Sequence, residues 1–355
     1  MNEVQARKDI SEIKDYIPGK TPKEPGTIKL SSNENPFGPS PKALLAISKE
    51  VKSLQTYPDQ KSIALRQALS KSLGIEADCL LCGNGSDEIM QIIASTYFNP
   101  GDEVIISNNS FSIYELVSRL FGAKLVFVSL KENELDLSAI AKAVTEKTKA
   151  IFLTAPNNPT GTVFKREAFY ALVKKTAGKT LLIVDEAYVD FMEDKAYPDM
   201  LDEIKMGRNV IVLRTFSKYY GLAGIRLGYC AAKKEIIAPM YKTKMPFNVN
   251  RLAQAAAIAA LGDKAFLKNT YRNNLEGKKY LYAELDKLGL EYKKTEANFI
   301  FITLKQPADA IFTRLMKLGV IIRPLTSFGF PDSIRVSIGL PEQNNKFIEA
   351  LKKLL

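Results

Sequence analysis

Short and nearly continuous apolar runs recur between residues 100 and 215, and helical patterns separate many of them. The runs cover residues 103–107, 124–128, 150–154, 181–185 and 210–214. They are rich in β-branched residues and have no polar face, which is typical of strands buried on both sides of a mostly parallel sheet. Together with helical patterns such as residues 136–147 and 165–176, they predict a three-layer α/β/α domain.

The pattern changes after about residue 250. A long helical region over residues 251–288 is interrupted near Gly262, and short strand-like runs then alternate with helices. This predicts a smaller α+β domain. We therefore expect an N-terminal arm over residues 1–45 that partly joins the small domain, a large domain over residues 46–250 and a small domain over residues 251–355.

Composition narrows the class of protein. The 355 residues are 46% hydrophobic and carry a formal charge of +11, but the lysines are scattered in pairs such as Lys174-Lys175, so we expect no nucleic-acid partner. A basic cleft that attracts small anions fits better. No stretch approaches the roughly 20 apolar residues of a membrane span, and the charged N-terminus lacks a signal-peptide core. Three cysteines favour free thiols, hence the cytoplasm.

Histidine is absent from the chain. This excludes catalytic triads that use histidine as the base, and it excludes histidine metal sites. Cys79 and Cys82 lie in an apolar run and, with Cys230 as the third cysteine, cannot form a four-thiolate zinc site. We expect no metal. The chemistry must come from lysine, carboxylate, tyrosine or arginine side chains, or from a cofactor.

Four polar clusters follow predicted strands, at the edge where open α/β sheets bind ligands. They are residues 85–87, 156–161, 185–188 and 215–218. Taken singly, each has a plain structural reading: Ser86 as a helix cap, Asp185 as a core carboxylate paired with a lysine, and Lys218 as a solvated charge. Taken together they suit one ligand with a phosphate, a ring cation and an aldehyde. Pyridoxal 5'-phosphate has all three. The phosphate would be bound by Gly85, Ser86, Thr215 and Ser217.

The order and spacing of these motifs resemble the aspartate-aminotransferase-like family of fold type I. Asn158-Pro-Thr-Gly161 is followed by Asp185-Glu-Ala-Tyr188 and then by Ser217-Lys218, with Gly221, Gly224 and Arg226 after it. Within that superfamily the chain is most similar to the histidinol-phosphate aminotransferases, with matching segments at residues 16–20, 32–38, 57–59, 83–88, 323–324 and 335–339. One segment differs, because Asn109-Ser110 stands before Phe111 where relatives usually carry Pro-Thr.

The resemblance implies a role for each matched residue. Lys218 would bind the cofactor covalently and transfer the proton, Asp185 would keep the ring nitrogen protonated, and Tyr188 would hydrogen-bond the ring hydroxyl oxygen. The residues implied to bind the cofactor are Gly85, Ser86, Asp87, Phe111, Asn158, Asp185, Tyr188, Thr215, Ser217, Lys218, Arg226 and, from the neighbouring subunit, Tyr57. The residues implied to bind the substrate are Tyr16, Asn35, Arg323 and Arg335.

The implied activity is reversible amino transfer between L-histidinol phosphate and 2-oxoglutarate, giving imidazole acetol phosphate and L-glutamate, in histidine biosynthesis. The implied functional unit is a homodimer with shared active sites. Two alternatives use the same fold and cofactor: an aromatic or broad-range aminotransferase, and a threonine-phosphate decarboxylase. A non-catalytic relative would have lost Lys218 or Asp185, and both are present.

Overall fold

The computed structural model describes Val4, Ile10, Ile13 and residues 19–22, 24–176 and 178–355. The strands in this part of the chain are β1 (Ile28–Lys29), β2 (Leu80–Gly83), β3 (Glu103–Ser107), β4 (Lys124–Val128), β5 (Thr148–Thr154), β6 (Leu181–Asp185), β7 (Val210–Thr215), β8 (Gly228–Ala231), β9 (Glu291–Lys293), β10 (Phe299–Thr303), β11 (Val320–Ile321), β12 (Arg323–Pro324) and β13 (Ser333–Ser337). The α-helices are α1 (Pro41–Glu50), α2 (Ile63–Leu73), α3 (Gly85–Tyr97), α4 (Ser112–Leu120), α5 (Leu137–Ala143), α6 (Arg166–Thr176), α7 (Met200–Lys205), α8 (Lys234–Thr243), α9 (Arg251–Leu261), α10 (Lys264–Lys287), α11 (Ala308–Lys317) and α12 (Pro341–Lys352).

Seven of the described strands form the large sheet, in the order β2-β8-β7-β6-β5-β3-β4. The five strands from β7 to β4 are parallel, and β8 and β2 add antiparallel pairs at one edge. Successive side chains of a strand point to opposite faces, so Val184 enters one buried cluster and Ile183 the other. Helices cover both faces. The predicted three-layer fold with a mostly parallel sheet is confirmed.

The small sheet has the order β12-β13-β10-β9 and is antiparallel. Beside it, β1 pairs in parallel with β11, with Ile28 opposite Val320 and Lys29 opposite Ile321. Leu30 then enters the apolar cluster around the small sheet. The first strand of the described chain therefore packs with residues that lie about 290 positions later.

The long helical region divides into α9 and α10 around Gly262, as its pattern predicts. Asn250 caps α9, because its side-chain oxygen accepts the backbone N–H of Ala253 at 2.8 Å. No helix among the described residues is both long and apolar enough to cross a membrane.

The ends of the parallel strands bring distant residues together. Thr154 at the end of β5 lies opposite Asp185 at the end of β6, and β7 ends beside them at Thr215. At the antiparallel edge, α3 begins directly after β2. The carboxyl edge of the large sheet therefore holds the polar clusters that the sequence places after its strands.

Candidate active site

A cavity of about 880 Å³ opens at this carboxyl edge, where the small sheet faces the large one. Twelve of the residues predicted from the sequence line it. They are Ser86, Asp87, Phe111, Asn158, Asp185, Tyr188, Thr215, Ser217, Lys218, Arg226, Arg323 and Arg335. Among the described residues, no group of histidine, cysteine and carboxylate side chains is arranged to bind a metal ion.

Lys218 supplies an amine to the cavity. Its Nζ donates to the backbone carbonyl of Ser32 at 2.8 Å and lies 5.9 Å from the centroid of the Tyr188 ring. Burial lowers the pKa of Lys218 to about 8, and the positive charge of Arg335 acts in the same direction. An amine with this pKa is much more often neutral near pH 7 than a surface lysine, so it is able to take up a proton.

Asp185 is buried at the end of β6. Its carboxylate accepts a hydrogen bond from the Tyr114 hydroxyl at 2.7 Å and another from the Ala187 backbone N–H at 3.0 Å. Burial raises the pKa of Asp185 to about 6 although both hydrogen bonds oppose the shift. Since no cationic side chain in the described ranges pairs with this carboxylate, a cationic ligand would stabilise its charged form.

Tyr114, on α4, is a site residue that sequence reasoning missed. Its hydroxyl also lies 3.0 Å from Thr154 Oγ1, and its ring stacks on Phe152 with centroids 4.7 Å apart. Burial raises the pKa of Tyr114 well above its ordinary value, so the hydroxyl keeps its proton and donates it to Asp185. The tyrosine follows Phe111 by three residues, but no sequence signal indicates that it reaches a carboxylate 71 positions away.

The start of α3 forms a cup for an anion. Gly85 has φ +85°, and a Cβ there would lie 2.5 Å from Arg226 Nη2. Arg226 Nη2 also contacts Asp87 Oδ2 at 3.1 Å. A Cβ at Gly228 would lie 2.7 Å from the Ser86 nitrogen, so two backbones approach closely here. The unpaired N–H groups of a helix N-terminus beside a guanidinium suit a phosphate.

Two arginines form the opposite wall of the cavity. Arg335 donates to Asn158 Oδ1 and, at 2.7 Å, to the Ser31 carbonyl. Arg323 lies directly opposite Arg335 in the register of β12 and β13, and its guanidinium lies 5.7 Å from the Phe328 ring centroid. Arg335 is the central residue of β13, and Arg323 is the first residue of β12. Their pairing brings two cationic groups to one region of the cavity.

The loop before Phe111 differs from relatives in a way that the structure explains. Asn109 has φ +45°, a left-handed conformation that proline cannot adopt. Its side-chain amide donates to the Phe328 carbonyl at 2.5 Å. Asn109 thereby connects the loop that carries Phe111 to the small-sheet loop beside Arg323.

Asn35 and Tyr57, two more of the predicted residues, do not line the cavity, and Tyr16 lies outside the described residues. Asn35 is buried, and its amide donates to the Tyr219 carbonyl at 2.9 Å and lies 3.2 Å from Thr270 Oγ1. Its expected role in binding the substrate stays a prediction. Tyr57 is 80% exposed and stacks on Phe247 with ring centroids 4.7 Å apart.

The chain segment before Asn35 is the second feature that sequence reasoning missed. Ser31, Ser32 and Asn33 line the cavity, and the Asn33 amide donates to the Tyr188 hydroxyl at 2.9 Å. Glu115 and Arg119 also line it, as an ion pair at 2.8 Å. The contacts of Ser31 and Asn33 span 155 to 304 residues, so no local pattern reveals them.

A comparison with known protein families matches residues 25–351 to the model of aminotransferase class I and II. The chain belongs to this family. It is 43% identical to the histidinol-phosphate aminotransferase of Moorella thermoacetica over 359 residues, covering 99% of this chain and 93% of the relative. It is also 43% identical to the histidinol-phosphate aminotransferase of Symbiobacterium thermophilum over 356 residues, covering 98% of each.

Solved aminotransferase structures have the same fold. The histidinol-phosphate aminotransferase of Sinorhizobium meliloti, in complex with pyridoxal-5'-phosphate, is 29% identical with a TM-score of 0.84, covering 93% of this chain and 92% of its own. That of Clostridium acetobutylicum is 28% identical with a TM-score of 0.85, covering 92% and 98%. The residues described above fit such a cofactor: the missing side chain at Gly85 leaves room for the Arg226 guanidinium at the start of α3, and Asp185 is buried with no cationic side chain of the described ranges paired to it.

Proposed function

We propose that this aminotransferase uses pyridoxal 5'-phosphate to move an amino group reversibly from L-histidinol phosphate to 2-oxoglutarate, giving imidazole acetol phosphate and L-glutamate, in histidine biosynthesis. The observation that carries the proposal is one cavity that brings together an amine, a buried carboxylate and the two guanidiniums of the small sheet, from Lys218, Asp185, Arg323 and Arg335. The full-length relatives, named as histidinol-phosphate aminotransferases, support it.

Different side chains of the cavity would bind different parts of the cofactor. The cup of Gly85, Ser86 and Asp87, with Thr215, Ser217 and Arg226, would hold the phosphate, and Phe111 would stack on the ring. Asn158 and Tyr188 would hydrogen-bond the ring hydroxyl oxygen. When bound, pyridoxal phosphate supplies an aldehyde that takes up amino groups and a ring that accepts electrons.

Lys218 would act as the base and then the acid, since its lowered pKa lets Nζ carry a proton away from the substrate carbon and return it to the cofactor side. Asp185 would accept a hydrogen bond from the protonated ring nitrogen and keep the proton there. Tyr114 orients that carboxylate through its 2.7 Å hydrogen bond.

The substrate anion changes between the two half-reactions, because histidinol phosphate offers a phosphate whereas glutamate offers carboxylates. A guanidinium pairs with either through its planar fork of donors. Arg323 and Arg335, opposite each other in the small sheet, are the side chains that we propose for this role. The expected role of Tyr16 over the imidazole stays a prediction.

Phosphate recognition gives a measurable preference. We expect histidinol phosphate to react with at least a tenfold higher kcat/KM than histidinol, because losing one charge-assisted contact costs about 1.5–3 kcal/mol. Arg323→Ala should reduce kcat/KM more for histidinol phosphate than for phenylalanine or tyrosine. Steady-state rates for these donors with 2-oxoglutarate, on one preparation, provide the measurement.

The control for this experiment is Arg314→Ala, which removes an exposed arginine of α11 and should leave all the rates unchanged. An aromatic aminotransferase would turn over phenylalanine or tyrosine faster than histidinol phosphate. That order of rates would replace the proposed substrate while keeping the cofactor and the reaction type.

We further propose that the functional unit is a homodimer. Exposed apolar side chains are concentrated on residues 44–57 and 245–247, and the two segments touch where Tyr57 stacks on Phe247. Leu45 is 57% exposed, Leu54 58% and Met245 71%. An apolar patch of this kind is typical of a surface that a second copy covers. Tyr57, at 80% exposure, would then reach the cofactor phosphate of the neighbouring subunit.

Subunit mixing tests the shared site. A mixed dimer of Lys218→Ala and Tyr57→Phe subunits contains one site with both residues intact, so it should be more active than either parent. Mixing Lys218→Ala with Asp185→Asn is the control, because both residues belong to the same subunit's site and no intact site forms. A monomer by light scattering at assay concentration, or equal activity in the two mixtures, would refute the proposal.

Cytoplasmic residence belongs to the same proposal. Cys79, Cys82 and Cys230 are free thiols, which fits a reducing compartment.

A further inference from the structure

Asn33 joins both sheets at the edge of the cavity. It is 1% exposed, and its backbone carbonyl accepts from Asn298 Nδ2 at 3.0 Å, just before β10. Its side-chain amide donates to the Tyr188 hydroxyl at 2.9 Å, after β6. Ser337, the last residue of β13, contacts both the backbone and the side chain of Asn33. Asn33 therefore connects the small sheet to a cofactor-site tyrosine.

The direction of these hydrogen bonds follows from one donor that cannot be reversed. The Asn33 backbone N–H donates to Ser337 Oγ at 2.8 Å, so this oxygen acts as the acceptor there. The hydroxyl proton of Ser337 is then directed to Asn33 Oδ1 at 3.1 Å. That bond assigns the amide oxygen to Ser337 and the amide nitrogen to Tyr188. An amide nitrogen can only donate, so the Tyr188 oxygen accepts from Asn33.

The backbone conformation restricts which residue can make these bonds. Asn33 has φ +56°, in the left-handed region where asparagine, aspartate and glycine are favoured over other residues. Glycine has no amide group, and aspartate cannot donate. Asparagine is the residue that adopts this conformation and also donates to Tyr188.

We propose that Asn33 is a positioning residue which, together with Ser337, directs the hydroxyl proton of Tyr188 toward the ring oxygen of the cofactor. Because Asn33 occupies an acceptor position on the Tyr188 oxygen, the proton of Tyr188 serves a different acceptor. A hydrogen bond donated to an anionic ring oxygen is charge-assisted and strong. The inference rests on the proposed function only in taking pyridoxal phosphate as the ligand.

The test measures the Kd of pyridoxal phosphate by titrating the cofactor-free protein and following the cofactor's absorbance. Asn33→Asp keeps the shape and the favoured φ but offers only acceptors, so the Tyr188 proton turns toward the introduced carboxylate and away from the cofactor. We expect the Kd to rise about tenfold or more, as for Tyr188→Phe. Ser337→Ala removes the hydroxyl that orients the Asn33 amide, without adding charge, and should raise the Kd several-fold.

The decisive comparison is made in the Tyr188→Phe protein, which has no hydroxyl to direct. There, Asn33→Asp and Ser337→Ala should each change the Kd by less than about twofold, because residues that act through one group are not additive. If the negative charge or a general loosening of the fold raised the Kd, the full increase in Kd would persist in the Tyr188→Phe protein. Full additivity, or an unchanged Kd in both single variants, would overturn the inference.

Ser333→Ala is the matched control, since Ser333 is a buried serine of the same strand that does not line the cavity. It should leave the Kd unchanged. Melting temperatures of the cofactor-free proteins check folding, and if Asn33→Asp fails to fold, the Ser337→Ala pair still decides the question. No histidinol phosphate enters the titration, so failure of the proposed substrate would leave this result standing.

Discussion

Lys218→Ala is expected to abolish transamination and to remove the covalent attachment of the cofactor. The amine of Lys218 lies in the cavity beside Tyr188, with a pKa lowered to about 8. The purified wild type should be yellow, and borohydride reduction should leave a pyridoxyl group on the peptide that contains Lys218. The variant should show turnover reduced by about 10⁴-fold or more, since removing a catalytic nucleophile or base has effects of this size.

The control is Lys174→Ala, which changes an exposed lysine of α6 and should keep the colour, the labelled peptide and the rate. A pyridoxyl group on another lysine, or a wild-type protein that binds no cofactor, would show that the cavity has a different function.

Asp185→Asn is expected to retain the cofactor and to lose about 10³-fold in turnover, because the amide has the shape of the carboxylate but cannot hold a proton on the ring nitrogen. Losses of electrostatic stabilisation in the transition state have this magnitude. Absorbance measures cofactor content, and steady-state assays measure kcat. Asp202→Asn, at an exposed ion pair with Lys205, is the control. Near-normal turnover in Asp185→Asn would contradict the role.

The same variant separates catalysis from folding. Burial raises the pKa of Asp185 to about 6 in the cofactor-free protein, above the ordinary 3.9 or so of an unfolded chain. Between these two pH values the folded state binds more protons, so the contribution of Asp185 to stability falls as the pH rises through this window. At pH 7 the buried, charged carboxylate lowers the stability of the folded cofactor-free protein, whereas a neutral amide at this position does not. Cofactor-free Asp185→Asn should therefore melt no lower than the wild type at pH 7.

The large sheet could be predicted because its information is local. A strand buried on both faces has to be apolar along its whole length, so runs such as Leu181–Asp185 identify themselves. The polar residues that end these runs are equally visible in the local sequence, because each follows directly on an apolar strand, and they mark the site. Several helices gave weaker signals: α8 contains Pro239, and α1 begins at Pro41 behind its cap Ser40. Neither stands out from the sequence pattern.

The rest of the site depends on contacts between distant residues. Tyr114, Asn33 and the pairing of Arg323 with Arg335 follow from how the strands and the N-terminal segment are arranged. Asn35 matched a family motif, but its amide nitrogen hydrogen-bonds the Tyr219 carbonyl and Thr270 Oγ1. A motif specifies which residue types are present, and only the packing decides which of their atoms face the ligand.

The pairing of β1 with β11 has a consequence for synthesis on the ribosome. Ile28 and Lys29 are made early, but their partners Val320 and Ile321 emerge much later. The strands of the large sheet lie between them in the sequence and are complete by Ala231. That sheet can therefore form before β1 has a partner strand. β1 then pairs with β11, and deleting residues 320–351 would leave Leu30 without much of its apolar cluster.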